Sequence, residues 1–173
     1  MTPIIETDRL ILRQFKLDDF KAVYEFGSNL EVQKYTGDSL IESLEAAKEL
    51  IKNVWYQDYE KYGYGRWAVI YKTNNRLIGF AGLKYISDIE ETDIGFRFLP
   101  EYWGKGIATE ASIPILEYGF EHFGLKKIIG TVMPDNIASC KVLEKIGLTF
   151  YKVDDYGGDA EKYNWYKINR PLK

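Results

Sequence analysis

The stretch TDIGFRFLPEYWGKGIATE, Thr92 to Glu110, changes from a strand pattern to a helix pattern within a few positions. Large apolar side chains predict a β-strand that ends at Pro100. Gly104 and Gly106 then form a tight turn, and apolar spacing typical of a helix follows. A strand that enters a helix through such a turn leaves several backbone N–H groups unpaired at the positive end of the helix dipole. The pattern predicts an anion site, most naturally for phosphate, although plain turn chemistry explains the two glycines equally well.

Two common phosphate-binding loops fit this stretch poorly. A P-loop requires a lysine and then a hydroxyl residue directly after its last glycine, whereas Lys105 follows the first glycine and is itself followed by Gly106. The dinucleotide fingerprint matches at Gly104 and Gly106, but Thr109 stands where its third glycine belongs. Because both matches are partial, we keep a nucleotide-binding protein only as a third hypothesis for the function.

The composition limits the class of protein. The chain has 173 residues, enough for one sizeable core, so we expect a single domain over residues 1–173. A net charge of −3 argues against a nucleic-acid partner and mildly favours a cationic acceptor. One cysteine and one histidine leave little for a metal site, so we expect none. No segment resembles a signal peptide or a membrane span, which predicts a cytoplasmic protein without a membrane partner.

The remaining pattern predicts an α+β fold. Its mixed, mostly antiparallel sheet of about seven strands carries flanking helices and one parallel β-α-β crossover, which contains the glycine turn. The order is one strand, two helices, three strands, a helix, a strand, a helix and two strands. The expected strands cover residues 7–15, 67–71, 77–83, 91–99, 126–132, 148–154 and 162–169, with Gly157 and Gly158 in the last loop.

Three motifs resemble those of the GNAT superfamily of acetyl-CoA-dependent N-acetyltransferases. The family motif [QR]-x-x-G-x-[GA] corresponds to residues 103–108, WGKGIA, with tryptophan in place of the first Gln or Arg. The opening T-x-R-L-x-L-R of residues 7–13 and the N-x-x-S of residues 136–139 are typical of the branch resembling the RimJ/RimL ribosomal-protein acetyltransferases. The resemblance covers nearly the whole chain and implies the GNAT fold.

The resemblance also implies a set of contacts to acetyl-CoA, the expected co-substrate. Backbone amides of the motif would bind the CoA pyrophosphate, Thr109 would add a hydroxyl, and Trp103 would lack the usual side-chain donor. The main chain at Phe98 would pair with the pantetheine arm, and its amide can face the thioester oxygen. Asn136 would contact pantetheine or the acceptor. The cofactor-binding residues expected are Phe98, Trp103, Gly104, Lys105, Gly106, Ile107, Ala108, Thr109 and Asn136.

The catalytic candidates are Ser139, Asp93 and Glu110. In the resembled branch the serine is placed to protonate the leaving thiolate, and here Leu143 stands where many GNAT enzymes have a tyrosine for that task. The carboxylates are candidates for the base that deprotonates the amine, with Glu91 beside them. Structural roles remain open for all of them: Asn136 and Ser139 suit a helix N-cap, and the carboxylates suit a strand edge or a bridge.

These observations predict an N-acetyltransferase that moves the acetyl group of acetyl-CoA to a primary amine by direct attack in a ternary complex. The acceptor would be a protein N-terminus or a small amine such as a polyamine or an amino-sugar drug, and a homodimer is possible. The alternative is a catalytically weak CoA-binding regulatory module, which the tryptophan at position 103 and the missing tyrosine at position 143 keep open.

Overall fold

The described part of the chain forms one eight-stranded sheet. A computed structural model describes residues 4–155 and 161–171, so the expected loop at Gly157 and Gly158 lies outside the described residues. The strand order is β1-β2-β3-β4-β5-β6-β8-β7, with every neighbouring pair antiparallel except β5 and β6. The strands are β1 Ile5–Glu6, β2 Leu10–Arg13, β3 Arg66–Tyr71, β4 Arg76–Ile86, β5 Glu91–Phe98, β6 Lys127–Val132, β7 Thr149–Asp154 and β8 Tyr163–Asn169.

The predicted fold class is therefore confirmed, with one strand more than expected. The extra strand is β1, which precedes the segment expected as a strand at residues 7–15 and pairs antiparallel with β2, the strand that this segment forms. A two-residue strand such as β1 is too short to show alternation in the sequence.

Helices cover both faces of the sheet. They are α1 Phe20–Gly27, α2 Leu30–Gln33, α3 Leu44–Leu50, α4 Tyr56–Tyr62, α5 Ile107–Glu121 and α6 Ile137–Lys145. Phe26 of α1 packs edge-on against Phe80 of β4, whereas α5 approaches Leu83 of the same strand at Gly119. Because side chains alternate along a strand, α1 and α5 lie on opposite faces. Among the described residues, no helix is both long and apolar enough to cross a membrane.

A long helical segment follows Ser43. Ser43 caps α3 by accepting a hydrogen bond from the Ala46 amide, and a π-helical turn at Ile51–Trp55 joins α3 to α4. The tyrosines at its far end pack rather than line a site: the Tyr59 hydroxyl donates to the Arg66 carbonyl and accepts from the Phe15 amide. Packing against the sheet thus accounts for Tyr59.

Candidate active site

A cleft opens where the two parallel strands separate. β5 and β6 share one bridge, between Asp93 and Ile129. Beyond it β5 continues to Phe98 in register with β4, and β6 continues to Val132 in register with β8. The space between the diverging strands is a cleft of about 370 Å³. Strands that diverge in this way leave main-chain groups available to a ligand.

Asp93 lies at the closed end of this cleft. The residue is 6% exposed, and its Oδ2 accepts a hydrogen bond from Arg66 Nη2 at 2.6 Å. Its other oxygen, Oδ1, is buried and has no hydrogen-bond partner among the described residues. Burial raises the pKa of this carboxyl above its ordinary value, and the Arg66 guanidinium, with the nearby Thr131 amide and the Lys84 charge, offsets only part of that effect. A carboxylate with one satisfied and one unsatisfied oxygen, and a raised pKa, suits a proton acceptor.

The Arg66–Asp93 ion pair depends on a glycine two residues after Asp93 on β5. Arg66 Nη1 also donates to the Gly82 carbonyl at 2.6 Å, so the guanidinium lies across β4 and β5. A Cβ atom at Gly95 would come within 2.5 Å of Arg66 Nη2. Gly95 therefore provides the space in which the guanidinium lies on the sheet.

The second wall of the cleft is the start of α6. Asn136 caps this helix, since its Oδ1 accepts a hydrogen bond from the Ser139 amide at 3.2 Å. Both residues line the cleft. Leu143 is 1% exposed and packs against Gly130, where a Cβ atom would lie 2.8 Å from its Cδ1. The position at which many GNAT enzymes carry a tyrosine is here part of the core.

The glycine turn lies outside the cleft and faces solvent. Gly104 and Gly106 have φ angles of 70° and 75°, which glycine adopts without strain. Gly106 is the N-cap of α5, and no side chain of the described residues caps that helix end. A Cβ atom at Gly104 would meet nothing within 4 Å. Free N–H groups at an exposed helix start, in open surroundings, fit the phosphate groups of CoA.

Trp103 joins this turn to the strand beside the cleft. The residue is 48% exposed, and its Nε1 donates a hydrogen bond to the Phe98 carbonyl at 2.7 Å. The Leu99 amide donates to the Ile78 carbonyl of β4. Main-chain groups alternate in direction along a strand, so the N–H of Phe98 points away from β4, toward the side on which β6 diverges.

Glu110 holds the N-terminal segment against α5. Its Oε1 accepts from the Thr7 hydroxyl at 2.6 Å and the Arg9 amide at 3.0 Å, and its Oε2 accepts from Arg9 Nε at 2.6 Å. Partial burial opposes ionisation, but these hydrogen bonds and the Arg9 charge outweigh it and lower the pKa. Glu110 is not among the described residues that line the cleft. The contacts also explain why threonine and arginine occur at positions 7 and 9.

We expect Glu110→Ala to lower stability without removing the catalytic base. The substitution leaves the Thr7 and Arg9 donors unpaired, so the midpoint of thermal unfolding should fall by about 2–8 °C. Because the folded-state pKa of Glu110 is lowered, its stabilisation is present above its ordinary value of 4.5 and is lost as pH falls through the lower folded value. The midpoints of wild type and variant should therefore converge in acid.

The matched control for this variant is Glu117→Ala, which removes an exposed carboxylate from the same helix. It should leave the unfolding midpoint nearly unchanged. A Glu110→Ala enzyme that keeps its unfolding midpoint but loses the acidic limb of its pH–rate profile would contradict the structural role.

The structure brings together only part of the expected site. Asp93, Asn136 and Ser139 share the cleft, whereas the glycine turn and Glu110 lie outside its lining. Glu91 forms an ion pair with Lys127. The lining residues that the sequence did not suggest include Arg66, Arg97, Tyr163 and the segment 35–38. A signal for one of them was present, since Asp93, Gly95 and Arg97 alternate on one face of β5 and give that face an unusually polar pattern.

Comparison with known proteins identifies the family. The family described as acetyltransferase (GNAT) domain matches residues 9–149. The chain belongs to the GNAT acetyltransferase family. The uncharacterized N-acetyltransferase YoaA of Bacillus subtilis is 38% identical over 148 residues, which cover 85% of this chain and 83% of YoaA. The chain is thus a GNAT N-acetyltransferase by family.

Solved structures of similar proteins share the fold. A GNAT-family acetyltransferase from Bacillus anthracis superimposes with a TM-score of 0.80 at 29% identity, over 95% of this chain and 97% of that one. The RimL ribosomal L7/L12 α-N-protein acetyltransferase in complex with coenzyme A gives 0.81 at 16% identity, over 97% and 98%. At 16% identity, the similarity to the RimL structure shows a shared fold alone.

In the part of this GNAT chain that the structure describes, no cluster of three or more His, Cys, Asp or Glu side chains could hold a metal ion.

Proposed function

We propose that this single-domain enzyme transfers the acetyl group of acetyl-CoA to a primary amine by direct attack within a ternary complex. The observation that carries the proposal is the continuity of β5. One end of this strand places the buried Asp93 in the cleft, and its other end leads into an uncapped glycine turn at the start of α5. A donor held by the turn would therefore extend along the strand edge toward the carboxylate.

The residues present fit a bound CoA. The amides of Gly104, Lys105, Gly106, Ile107 and Ala108, with the Thr109 hydroxyl, would hold its pyrophosphate. The strand edge at Phe98 and the amide side chain of Asn136 would hold the pantetheine arm. The Phe98 carbonyl already accepts a hydrogen bond from Trp103 Nε1, so the Phe98 N–H remains as the main-chain donor on the side of the strand that faces the cleft. When bound, acetyl-CoA supplies an activated acetyl group as a thioester.

Asp93 is our candidate for the base. Its Oδ1 can accept a proton from the acceptor ammonium, directly or through a water, which leaves the nitrogen lone pair free for attack on the thioester carbonyl carbon. A C–N bond then forms and the C–S bond breaks. Burial raises the pKa of Asp93, which makes it a stronger base than an exposed aspartate, and the paired Arg66 guanidinium opposes that shift.

Two groups would stabilise the charges that develop. The Phe98 N–H would donate to the carbonyl oxygen as it gains negative charge, in the manner of an oxyanion hole. The Ser139 hydroxyl, half-buried at the start of α6, would pass a proton to the departing thiolate and regain one from the attacking nitrogen, which loses its second proton as the amide forms. Because Leu143 occupies the usual position of the tyrosine acid, we assign this step to Ser139.

The test is a direct assay of acetyl transfer. Purified protein, acetyl-CoA and a panel of amines should release free CoA in step with the appearance of an acetylated amine in the mass spectrum. The panel should include peptides with free N-termini, amino acids, polyamines and amino sugars. If the protein binds CoA tightly but releases no free CoA from acetyl-CoA with any amine of the panel, the catalytically weak CoA-binding module would be favoured instead.

A further inference from the structure

Two guanidinium groups share one aromatic ring at the acceptor end of the cleft. The guanidinium carbons of Arg66 and Arg97 lie 5.8 and 5.2 Å from the centroid of the Phe80 ring. Arg97 stands directly opposite Phe80 in the β4–β5 ladder, so both side chains rise from the same face of the sheet. Like charges held this close repel each other, and a bound anion between or beside them relieves that repulsion.

The charged side chains of the cleft lining sum to a positive value. The lining has three cations, Arg66, Lys84 and Arg97, and two carboxylates, Asp38 and Asp93. The chain as a whole has a net charge of −3, so this excess is local. The net charge of the whole chain favours a cationic acceptor, but a substrate responds to the electric field inside the cleft. The local positive charge therefore favours an acceptor that carries an anionic group.

The two ion pairs differ in how firmly they are held. Arg66 and Asp93 are both nearly buried, with side chains 12% and 9% exposed. The Arg97 side chain is 20% exposed, but that of its partner Asp38 is 63% exposed, and Asp38 follows Gly37 in a segment that lines the cleft. An ion pair with such an exposed member contributes little net stability. Asp38 can therefore leave Arg97 at small cost when another carboxylate takes its place.

Arg97 has the hydrogen-bonding capacity for that exchange. Its Nη1 donates to Gln33 Oε1 at 2.9 Å and its Nη2 to Asp38 Oδ2 at 2.6 Å. A guanidinium carries five N–H donors in a planar fork that matches a carboxylate. Burial lowers the pKa of Arg97 and the Asp38 carboxylate opposes that shift, as expected for a cation that needs a counter-ion.

We infer that the acceptor is a small amine that also carries a carboxylate. The carboxylate replaces Asp38 at Arg97, and the amine points toward Oδ1 of Asp93. This inference rests on the proposed function and names the substrate class of the same site. The cleft of about 370 Å³ must also admit the thioester end of the donor, so the acceptor is compact.

The first experiment compares matched amines by kcat/KM. Each ω-amino acid from glycine to 6-aminohexanoate is paired with the amine that lacks its carboxylate, and spermidine and an acidic peptide with a free N-terminus complete the set. A charge-assisted, bidentate contact predicts that the best amino acid exceeds its decarboxylated partner by about 10- to 100-fold. The chain length at the optimum measures the spacing between Arg97 and Asp93, and the peptide separates a free amino acid from an acidic N-terminus.

Two substitutions should change the reaction of carboxylate-bearing amines in opposite directions. Arg97→Gln should lower kcat/KM for the carboxylate-bearing amines by about 10- to 100-fold and leave the simple amines within about threefold. Asp38→Asn removes the competing carboxylate and should lower KM for the same amino acids. The matched control is Arg76→Gln, which alters an exposed arginine paired with Glu25 and Glu101. Arg76→Gln should change neither kcat/KM nor KM for the carboxylate-bearing amines.

The outcomes distinguish this inference from the proposed function. If no amine is acetylated although CoA binds, the proposed function fails and this inference fails with it. If spermidine or the simple amines match the amino acids, or if Asp38→Asn raises KM for the amino acids, only the inference is overturned. Titration with CoA shows whether each variant is folded, because the cleft lining that contains Arg97 includes no residue of the glycine turn.

Discussion

Gly106→Val should weaken CoA binding by about 100-fold or more. Gly106 has a φ of 75°, which a β-branched residue adopts only with strain, so the turn would rearrange. The amides of the turn would then no longer point together at a phosphate. Loss of even two charge-assisted hydrogen bonds accounts for a change of this size. Isothermal titration with CoA measures it.

Gly124→Val is the matched control for strain. Gly124 follows the other end of α5, has a φ of 65°, and a Cβ atom there would meet nothing within 4 Å. Both variants should lose similar amounts of thermal stability, and only Gly106→Val should lose CoA affinity. Equal CoA affinity in wild type and Gly106→Val would mean that CoA binds elsewhere.

Asp93→Asn should lower kcat by about 10²- to 10⁴-fold for an aliphatic amine, because it removes the proposed base. Wild-type activity should fall as pH drops through the pKa of Asp93, which burial raises above its ordinary value of 3.8. In the variant that limb should vanish, and the residual rate should follow the ionisation of the amine itself. The pH dependence of kcat at saturating CoA measures both effects.

Two controls accompany this variant. Asp88→Asn alters an exposed aspartate in the turn between β4 and β5 and should leave kcat unchanged. CoA affinity should be retained in Asp93→Asn, which shows that the glycine turn is intact. An unchanged pH profile in Asp93→Asn would assign the proton transfer to another group.

The local features of the fold were predictable from the sequence. The glycine turn, the N-cap at Asn136 and the left-handed glycine at position 147, just beyond the end of α6, each depend on a few neighbouring residues. The parallel crossover followed from the strand–helix–strand pattern around the turn, because such connections are right-handed and parallel. These features position the expected donor site.

The polar floor of the cleft was not predictable from pattern alone. Arg66 meets Asp93 because β3, β4 and β5 pair in a register that sets Arg66 opposite Gly82, and Gly82 opposite Gly95. No spacing in the sequence fixes that register, which the turn and the packing of both faces decide together. Glu110 illustrates the same limit, since its partners Thr7 and Arg9 lie about a hundred positions away in the chain.

The most direct test of the account is initial-rate kinetics with acetyl-CoA and the best acceptor both varied. Direct attack in a cleft that holds both substrates predicts intersecting double-reciprocal lines, and an intact protein mass that stays unchanged after incubation with acetyl-CoA alone. Parallel lines, together with a protein that gains one acetyl group, would show a covalent acetyl-enzyme and contradict the assignment of Asp93 and the β5–β6 cleft as the place of direct transfer.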